Sequence, residues 1–190
     1  MDDREKKRRL FVGVQLDDAS RAASAGVSEG LQRTGFAAKY EPAEKLHVTL
    51  AFLGNVGPSQ YEAVAEALDR GANENAPFAL TLDRIGAFPH EHKPRVIYIG
   101  AREQGAPFRK LAQSVRDSYA ALGFQFDEDP VAHVTIARVK EPRAPLRSVE
   151  FVPIGFEIGS LSLFESLFDP KVNTSRYEIT RVAALSALPP

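Results

Sequence analysis

Short apolar runs alternate with amphipathic stretches along the whole 190-residue chain. The apolar runs are rich in β-branched and aliphatic residues, which is typical of buried strands. They predict strands at 10–16, 46–53, 78–85, 95–100, 132–139, 157–168 and 176–184. Gly54 and Asn55 follow the second of these runs and predict a turn there.

Three stretches between these runs predict helices. The first follows the N-cap candidates Asp17 and Asp18. The second begins at Pro58, which a first helical turn tolerates, and the third ends at Gly123. Apolar residues recur with helical spacing along 61–68 and 108–122.

The two halves of the chain repeat each other. Residues 9–12 and 95–98 are separated by 95 − 9 = 86 positions, and His47 and His133 by 133 − 47 = 86 positions. A strand, a helix and a second strand occupy each interval. We therefore predict one domain, 1–190, with an internal duplication: a first repeat at about 9–86, and a second at 95–190 that includes the C-terminal strands. Two such lobes would face each other across a central groove.

Composition and charge limit the classes of function. The apolar fraction is 44%, the charged fraction 26% and the formal net charge −1, so a long footprint on nucleic acid is not expected. A small anionic ligand or the end of an RNA remains compatible. The chain has no cysteine, which removes disulfides, thiolate metal sites and cysteine nucleophiles. It shows neither a signal peptide nor a membrane-spanning stretch, and a cytoplasmic monomer without membrane contact is expected.

Each repeat carries the tripeptide His-Val-Thr, at 47–49 and 133–135. Residues i and i+2 of a strand share a face, so each imidazole lies beside a hydroxyl. Two imidazoles on opposite sides of a phosphorus atom would supply the base and the acid that phosphodiester hydrolysis needs near neutral pH. The threonine hydroxyls would donate to the non-bridging oxygens, without a metal.

A lone histidine in a strand is more often structural than catalytic, and His-x-Thr by itself is a weak motif. Two copies at matched positions, from four histidines in the chain, favour the functional interpretation.

At these residues the sequence resembles the 2H phosphoesterase superfamily, which is defined by two such motifs. Within it, the sequence is most similar to the prokaryotic RNA 2′,3′-cyclic phosphodiesterases, also called 2′-5′ RNA ligases. The resemblance covers nearly the whole chain and is carried by 9–16, 47–54, Phe88-Pro89, 95–100 and 133–138. Ala132 departs from the family, which commonly has proline there, and this change should affect backbone stiffness more than chemistry.

The resemblance implies a two-lobed α+β fold, with antiparallel sheets and flanking helices around a central active-site groove. It implies hydrolysis of RNA or nucleotide 2′,3′-cyclic phosphates to 2′-phosphates, with neither metal nor cofactor. His47 would protonate the leaving O3′, His133 would activate water, and Thr49 and Thr135 would hold the phosphate.

Further residues extend this expected site. Arg138 is a candidate phosphate ligand, although its odd offset from His133 predicts the opposite face of a regular strand. Phe52 has the equivalent place in the first motif and is a candidate to stack on a base; core packing is an equal alternative for it. Tyr177 is a weaker candidate of the same kind.

Alternative functions use the same residues. Reversible 2′-5′ ligation at tRNA half-molecule ends would differ in substrate and equilibrium, and a non-catalytic module would bind RNA ends without turnover. No phosphate-binding P-loop motif occurs in the chain, so ATP-dependent ligation is unsupported. His90 and His92 form a His-x-His, but a rim loop is favoured there over a metal site.

Overall fold

Three α-helices and ten strands make up the part of the chain that the computed structural model describes, residues 7–127, 129–141, 145–146, 149–171 and 173–186. In chain order they are β1 (Arg8–Gln15), α1 (Asp18–Arg33), β2 (Lys39–Tyr40), a 3₁₀ helix (Ala43–Lys45), β3 (His47–Val56), α2 (Pro58–Asn73), β4 (Phe78–Leu82), β5 (Arg84–Phe88), β6 (Val96–Gly100), α3 (Gly105–Ala120), β7 (His133–Arg138), β8 (Ile154–Ile158), β9 (Ser160–Asp169) and β10 (Thr174–Ala184).

The strands form one large antiparallel sheet in the order β10-β9-β1-β3-β7-β6-β5, with β2 added on β7, and a separate β4–β8 pair. Four strands of the large sheet, β10, β9, β1 and β3, form one group, and the other four, β7, β6, β5 and β2, form a second. The two groups meet where β3 pairs with β7, at Val48 opposite Val134. The predicted α+β fold with antiparallel lobes is therefore confirmed, and the lobes join edge to edge at the strands that carry the two histidines.

Helices α1 and α2 begin where the sequence predicts, whereas α3 ends at Ala120, three residues before the predicted Gly123. Asp17 caps α1 by accepting a hydrogen bond from the backbone N–H of Ser20 at 2.7 Å, and Pro58 is the first residue of α2. Helices α2 and α3 pack together, and the buried Tyr119 hydroxyl donates to the Val64 carbonyl across that interface at 3.1 Å. No helix in the described ranges is long and apolar enough to cross a membrane.

Three predictions about the strands are wrong. The single strand predicted at 157–168 spans the end of β8 and most of β9, which lie in different sheets and are separated at Gly159. The turn at Gly54 and Asn55 is absent because β3 continues to Val56 and stays paired with β1; Gly54 has φ 71° beside a register shift. The single strand predicted at 78–85 is two strands, β4 and β5, which lie in different sheets and are separated at Asp83.

The β1–β3 and β6–β7 pairs have the same register and the same irregularity. Gln15 lies opposite His47, and Gly100 lies opposite His133. Each pair then has a bulge at the same place. Leu50 is an extra residue in β3, where the register with β1 shifts between Val12 and Gly13. Ile136 is the extra residue in β7, where the register with β6 shifts between Ile97 and Tyr98. The structural offset is thus 133 − 47 = 86 for the histidine strands but 100 − 15 = 85 for their partners. The 86-residue match of 9–12 with 95–98 is therefore wrong by one residue.

Candidate active site

His47 and His133 are the first residues of β3 and β7, and their backbone contacts are equivalent. His47 Nδ1 lies 2.6 Å from the carbonyl oxygen of Lys45, and His133 Nδ1 lies 2.7 Å from that of Val131. A carbonyl only accepts, so each Nδ1 carries the proton. Nε2 is then the nitrogen that exchanges a proton, either as a bare acceptor or, in the imidazolium, as a donor.

Aromatic side chains surround each imidazole. His47 contacts Phe11, Phe164 and Tyr177, with ring centroids 5.0, 5.4 and 5.3 Å away. This burial lowers the pKa of His47, because desolvation disfavours the charged form.

His133 has a similar but smaller aromatic surround. The rings of Phe88 and Tyr98 are each 5.2 Å from it and meet it at steep angles. Burial again lowers the pKa, and the positive charge of Arg138 lowers it further.

The threonines lie next to the histidines, as strand alternation predicts. Thr49 Oγ1 is 3.0 Å from His47 Nε2, and Thr135 has the same position after His133. Because Val48 and Val134 are directly opposite, the two strands bring both pairs together around that point. The four side chains line one open groove of about 590 Å³.

The paired bulges bring Phe52 and Arg138 to the groove as well. Directly opposed residues of a ladder share a face. Thr135 lies opposite Tyr98, and Arg138 lies opposite Val96, so the bulge at Ile136 puts Thr135 and Arg138 on the same face. Both line the groove. The objection from Arg138's odd offset is removed, because the extra residue restores the alternation.

Phe52 reaches the groove in the same way. It lies opposite Phe11, at a ring distance of 5.9 Å, and is 69% exposed. Exposure on this scale argues against core packing for Phe52. The two equivalent positions thus present an aromatic ring in one lobe and a guanidinium in the other.

Sequence reasoning missed part of the groove wall. Phe11, Phe88 and Phe164 pack on the imidazoles. Phe11 and Phe164 belong to ordinary apolar runs, and Phe88 is singled out in the sequence only by the family resemblance of its pair with Pro89. Glu41 lines the groove and accepts from Arg138 Nε at 3.0 Å; nothing in the local pattern singled it out. Tyr177, a weak candidate from sequence, does line the groove.

The structure shows the surroundings of the His-x-His at 90–92 and of Ala132. His90 and His92 lie outside the groove, with ring centroids 6.3 Å apart, and no cluster of three or more metal-ligating side chains occurs among the described residues. Ala132 donates its N–H to the side-chain oxygen of Gln104, a bond that the proline common in the family would lack.

Three kinds of comparison with known proteins agree on one family. A family model described as LigT like Phosphoesterase matches residues 15–98 and again 99–172. An RNA 2′,3′-cyclic phosphodiesterase of Archaeoglobus fulgidus is 34% identical over 86% of this chain and 93% of its own length. One of Thermotoga maritima is 28% identical over 85% of this chain and 88% of its own. The structure of E. coli LigT complexed with 3′-AMP superposes with a TM-score of 0.75 at 25% identity, covering 96% of this chain and 99% of that one.

The doubled fold and its paired His-Thr strands are those of the two-histidine phosphoesterases. Within that class, the chain belongs to the LigT-like phosphoesterase family.

Proposed function

We propose that this protein hydrolyses 2′,3′-cyclic phosphates at RNA ends or on nucleotides, leaving a 2′-phosphate. The observation that carries the proposal is the pair of imidazoles in one groove, each held with Nε2 available and a threonine hydroxyl beside it. The relatives named RNA 2′,3′-cyclic phosphodiesterase, and the neighbour complexed with 3′-AMP, support the substrate class.

The reaction needs one proton removed and one supplied. His133 Nε2 takes a proton from water as the water oxygen attacks phosphorus. The P–O3′ bond breaks, and His47 Nε2 gives its proton to O3′. The products are a 2′-phosphomonoester and a free 3′-hydroxyl. His133 is left charged and His47 neutral, and exchange with solvent restores both. The scheme uses no metal. Each proton transfer should accelerate the reaction by a factor on the order of 10²–10⁴.

The remaining groove residues bind the substrate in this proposal. Thr49 and Thr135 donate to the non-bridging oxygens, where charge develops in the transition state. Arg138 adds a guanidinium to the phosphate. Phe52, exposed at the groove, offers a surface on which a base stacks.

The family resemblance is the basis for assigning His47 as the acid. Burial and the positive charges of His133 and Arg138 lower the pKa of His47, whereas the Lys45 carbonyl and the Glu41 carboxylate raise it. For His133, burial and Arg138 lower the pKa, while the Val131 carbonyl raises it. Both pKa values are lowered, so a substrate with sulfur in place of O3′ decides which imidazole is the acid.

The test is turnover of a 2′,3′-cyclic nucleotide, with product analysis. We expect His47→Ala and His133→Ala to remain folded and to lose turnover by roughly 10²–10⁴-fold each. His90→Ala, outside the groove, is the matched control and should retain full activity. Retained turnover in either groove variant, or a 3′-phosphate product, would contradict the proposal. Saturable binding without product would indicate a binding module, and a joined product from tRNA halves would indicate ligation.

A substrate with sulfur in place of O3′ distinguishes the role of His47 from that of His133. A thiolate leaves without a proton, so this substrate no longer needs the acid. We expect it to restore turnover in His47→Ala and not in His133→Ala. The reverse pattern would exchange the two roles.

A further inference from the structure

Glu41 is attached to the strand that carries His133. It follows β2, whose residues Lys39 and Tyr40 pair with Arg138 and Ala137 of β7. The backbone N–H of Glu41 donates to the carbonyl of Ile136 at 2.8 Å. Glu41 is therefore fixed beside the β7 bulge, at the groove wall, by main-chain bonds that do not depend on its carboxylate.

The carboxylate of Glu41 holds Arg138. Oε1 accepts from Arg138 Nε at 3.0 Å, and the Glu41 side chain is 14% exposed against 54% for Arg138. The bond uses Nε, the guanidinium nitrogen nearest the chain, and so restrains the group from its inner side. A mostly exposed arginine would otherwise sample many rotamers.

The charges around His47 are unevenly distributed. The groups that act on it are His133 and Arg138 on β7, the Tyr177 ring on β10 and Glu41 after β2, and its Nδ1 is bonded to the Lys45 carbonyl. Burial lowers the pKa of His47 and the two cationic groups on β7 lower it further, whereas the Lys45 carbonyl and Glu41 raise it. The other charged side chains that line the groove are those of Lys45, Arg116, Asp127 and Asp129.

The duplication reproduces only part of this arrangement. The position equivalent to Glu41 is Asp127, at 127 − 41 = 86 residues, and it also lines the groove. The position equivalent to Arg138 in the other lobe is Phe52, at 138 − 52 = 86 residues, which carries no charge. A site with two equivalent imidazoles has no inherent direction for proton transfer. The Glu41–Arg138 pair is a charged element that breaks that equivalence.

We propose that Glu41 is a positioning residue that gives the groove its direction, by fixing Arg138 at the phosphate and by placing a fixed carboxylate in the groove that His47 lines. This inference rests on the proposed function. Glu41 touches no reacting atom in the scheme, so its effect must act through Arg138 and His47.

The experiment compares the pH dependence of kcat/KM for a cyclic nucleotide in wild type, Glu41→Gln and Glu41→Asp. Glutamine keeps the shape and the acceptor oxygen but removes the charge, while aspartate keeps the charge. Asp69→Asn is the matched control, since it removes the carboxylate of the Arg181–Asp69 ion pair between α2 and β10.

The sign of the shift follows from the role of His47. The acid works only while protonated, so its pKa sets the alkaline limb. Removing the Glu41 charge lowers that pKa, and the alkaline limb of Glu41→Gln moves to lower pH. We expect roughly 0.5–1 pH unit, less than the 1–3 units of a directly paired carboxylate, with a several-fold rise in KM. Glu41→Asp should restore much of the limb, and Asp69→Asn should leave it in place.

Three results would overturn the inference: an unchanged profile in Glu41→Gln, a uniform loss at all pH values without a shift, or a shift of the acid limb alone. NMR titration of the two imidazoles in the same variants gives an independent readout. The His47 pKa should fall more than that of His133, and equal or no change would also refute the idea. If wild type has no turnover, the proposed function fails, while this titration still tests Glu41.

Discussion

Gly13 is the position where the smallest substitution should disturb the site most. It lies in β1 opposite Thr49. A Cβ added there would be 2.5 Å from the carbonyl oxygen of Val48, 3.3 Å from the ring of Phe164 and 3.5 Å from Cδ2 of His47. The nearest atom belongs to the backbone of the strand that carries His47, so it cannot rotate away. In Gly13→Ala, β1 and β3 must separate locally.

The size of the effect follows from that contact. Overpacking typically costs about 1–3 kcal/mol, and a backbone neighbour points to the upper half of that range. At roughly 2–4 °C per kcal/mol for a chain of this size, the melting temperature should fall by about 4–12 °C. A displacement of β3 also moves the imidazole, and a shift of about 1 Å at a reacting group can cost on the order of 10²-fold in rate.

Urea unfolding and kcat on a cyclic nucleotide measure the two effects. Gly26→Ala is the matched control, because its added Cβ meets nothing within 4 Å in α1. That variant should gain roughly 0.5–1 kcal/mol from the lower entropy of its unfolded chain, with unchanged turnover. A Gly13→Ala protein with wild-type stability and turnover would refute the close approach of β1 to β3 at this point.

Three further predictions concern the groove. Thr49→Val and Thr135→Val should each lower kcat by roughly 10²–10³-fold with little change in the melting temperature, since each removes a hydroxyl donor at nearly constant volume; a loss under threefold in both would count against phosphate binding. Phe52→Ala should raise KM by an amount equivalent to roughly 1–3 kcal/mol of base stacking, and because the ring is 69% exposed, a large loss in urea stability would instead indicate core packing. The profile of kcat/KM against pH should be bell-shaped with both limbs below pH 6.5, because burial lowers the pKa of His47 and of His133 from that value; a maximum above pH 7.5 would contradict it.

Local periodicity accounts for what the sequence predicted well. The helical stripes and the strand runs reflect contacts within each element, and the histidine–threonine adjacency needs only the two-residue period of a strand. Periodicity does not identify the partner of a strand. The apolar positions 78, 80 and 82 change phase at Asp83 before Ile85, where β4 ends after pairing with β8 and β5 begins to pair with β6. A one-residue change of phase is equally typical of a bulge within one strand, so the sequence alone does not separate β4 from β5.

The rest of the site depends on contacts between distant segments. Phe164 is adjacent to His47 because β9 pairs with β1, and Glu41 reaches Arg138 because β2 pairs with β7. A carboxylate that follows a two-residue strand has no sequence pattern of its own. Its role becomes visible only when the pairing is known.

The bulges are the feature that links the duplication to function. A regular strand would direct positions 52 and 138 away from the groove, whereas one extra residue in each strand turns both toward it. The same type of bulge therefore places an aromatic ring at the groove in one lobe and a guanidinium in the other. A 2′,3′-cyclic phosphate has two similar P–O bonds, and two equivalent histidines alone would not distinguish them. In the proposed reaction, selectivity for O3′ comes from groups that differ between the lobes. Phe52 and Arg138, which Glu41 holds, are such groups in the groove wall. A change of product from 2′- to 3′-phosphate in their variants would report a reversed substrate directly.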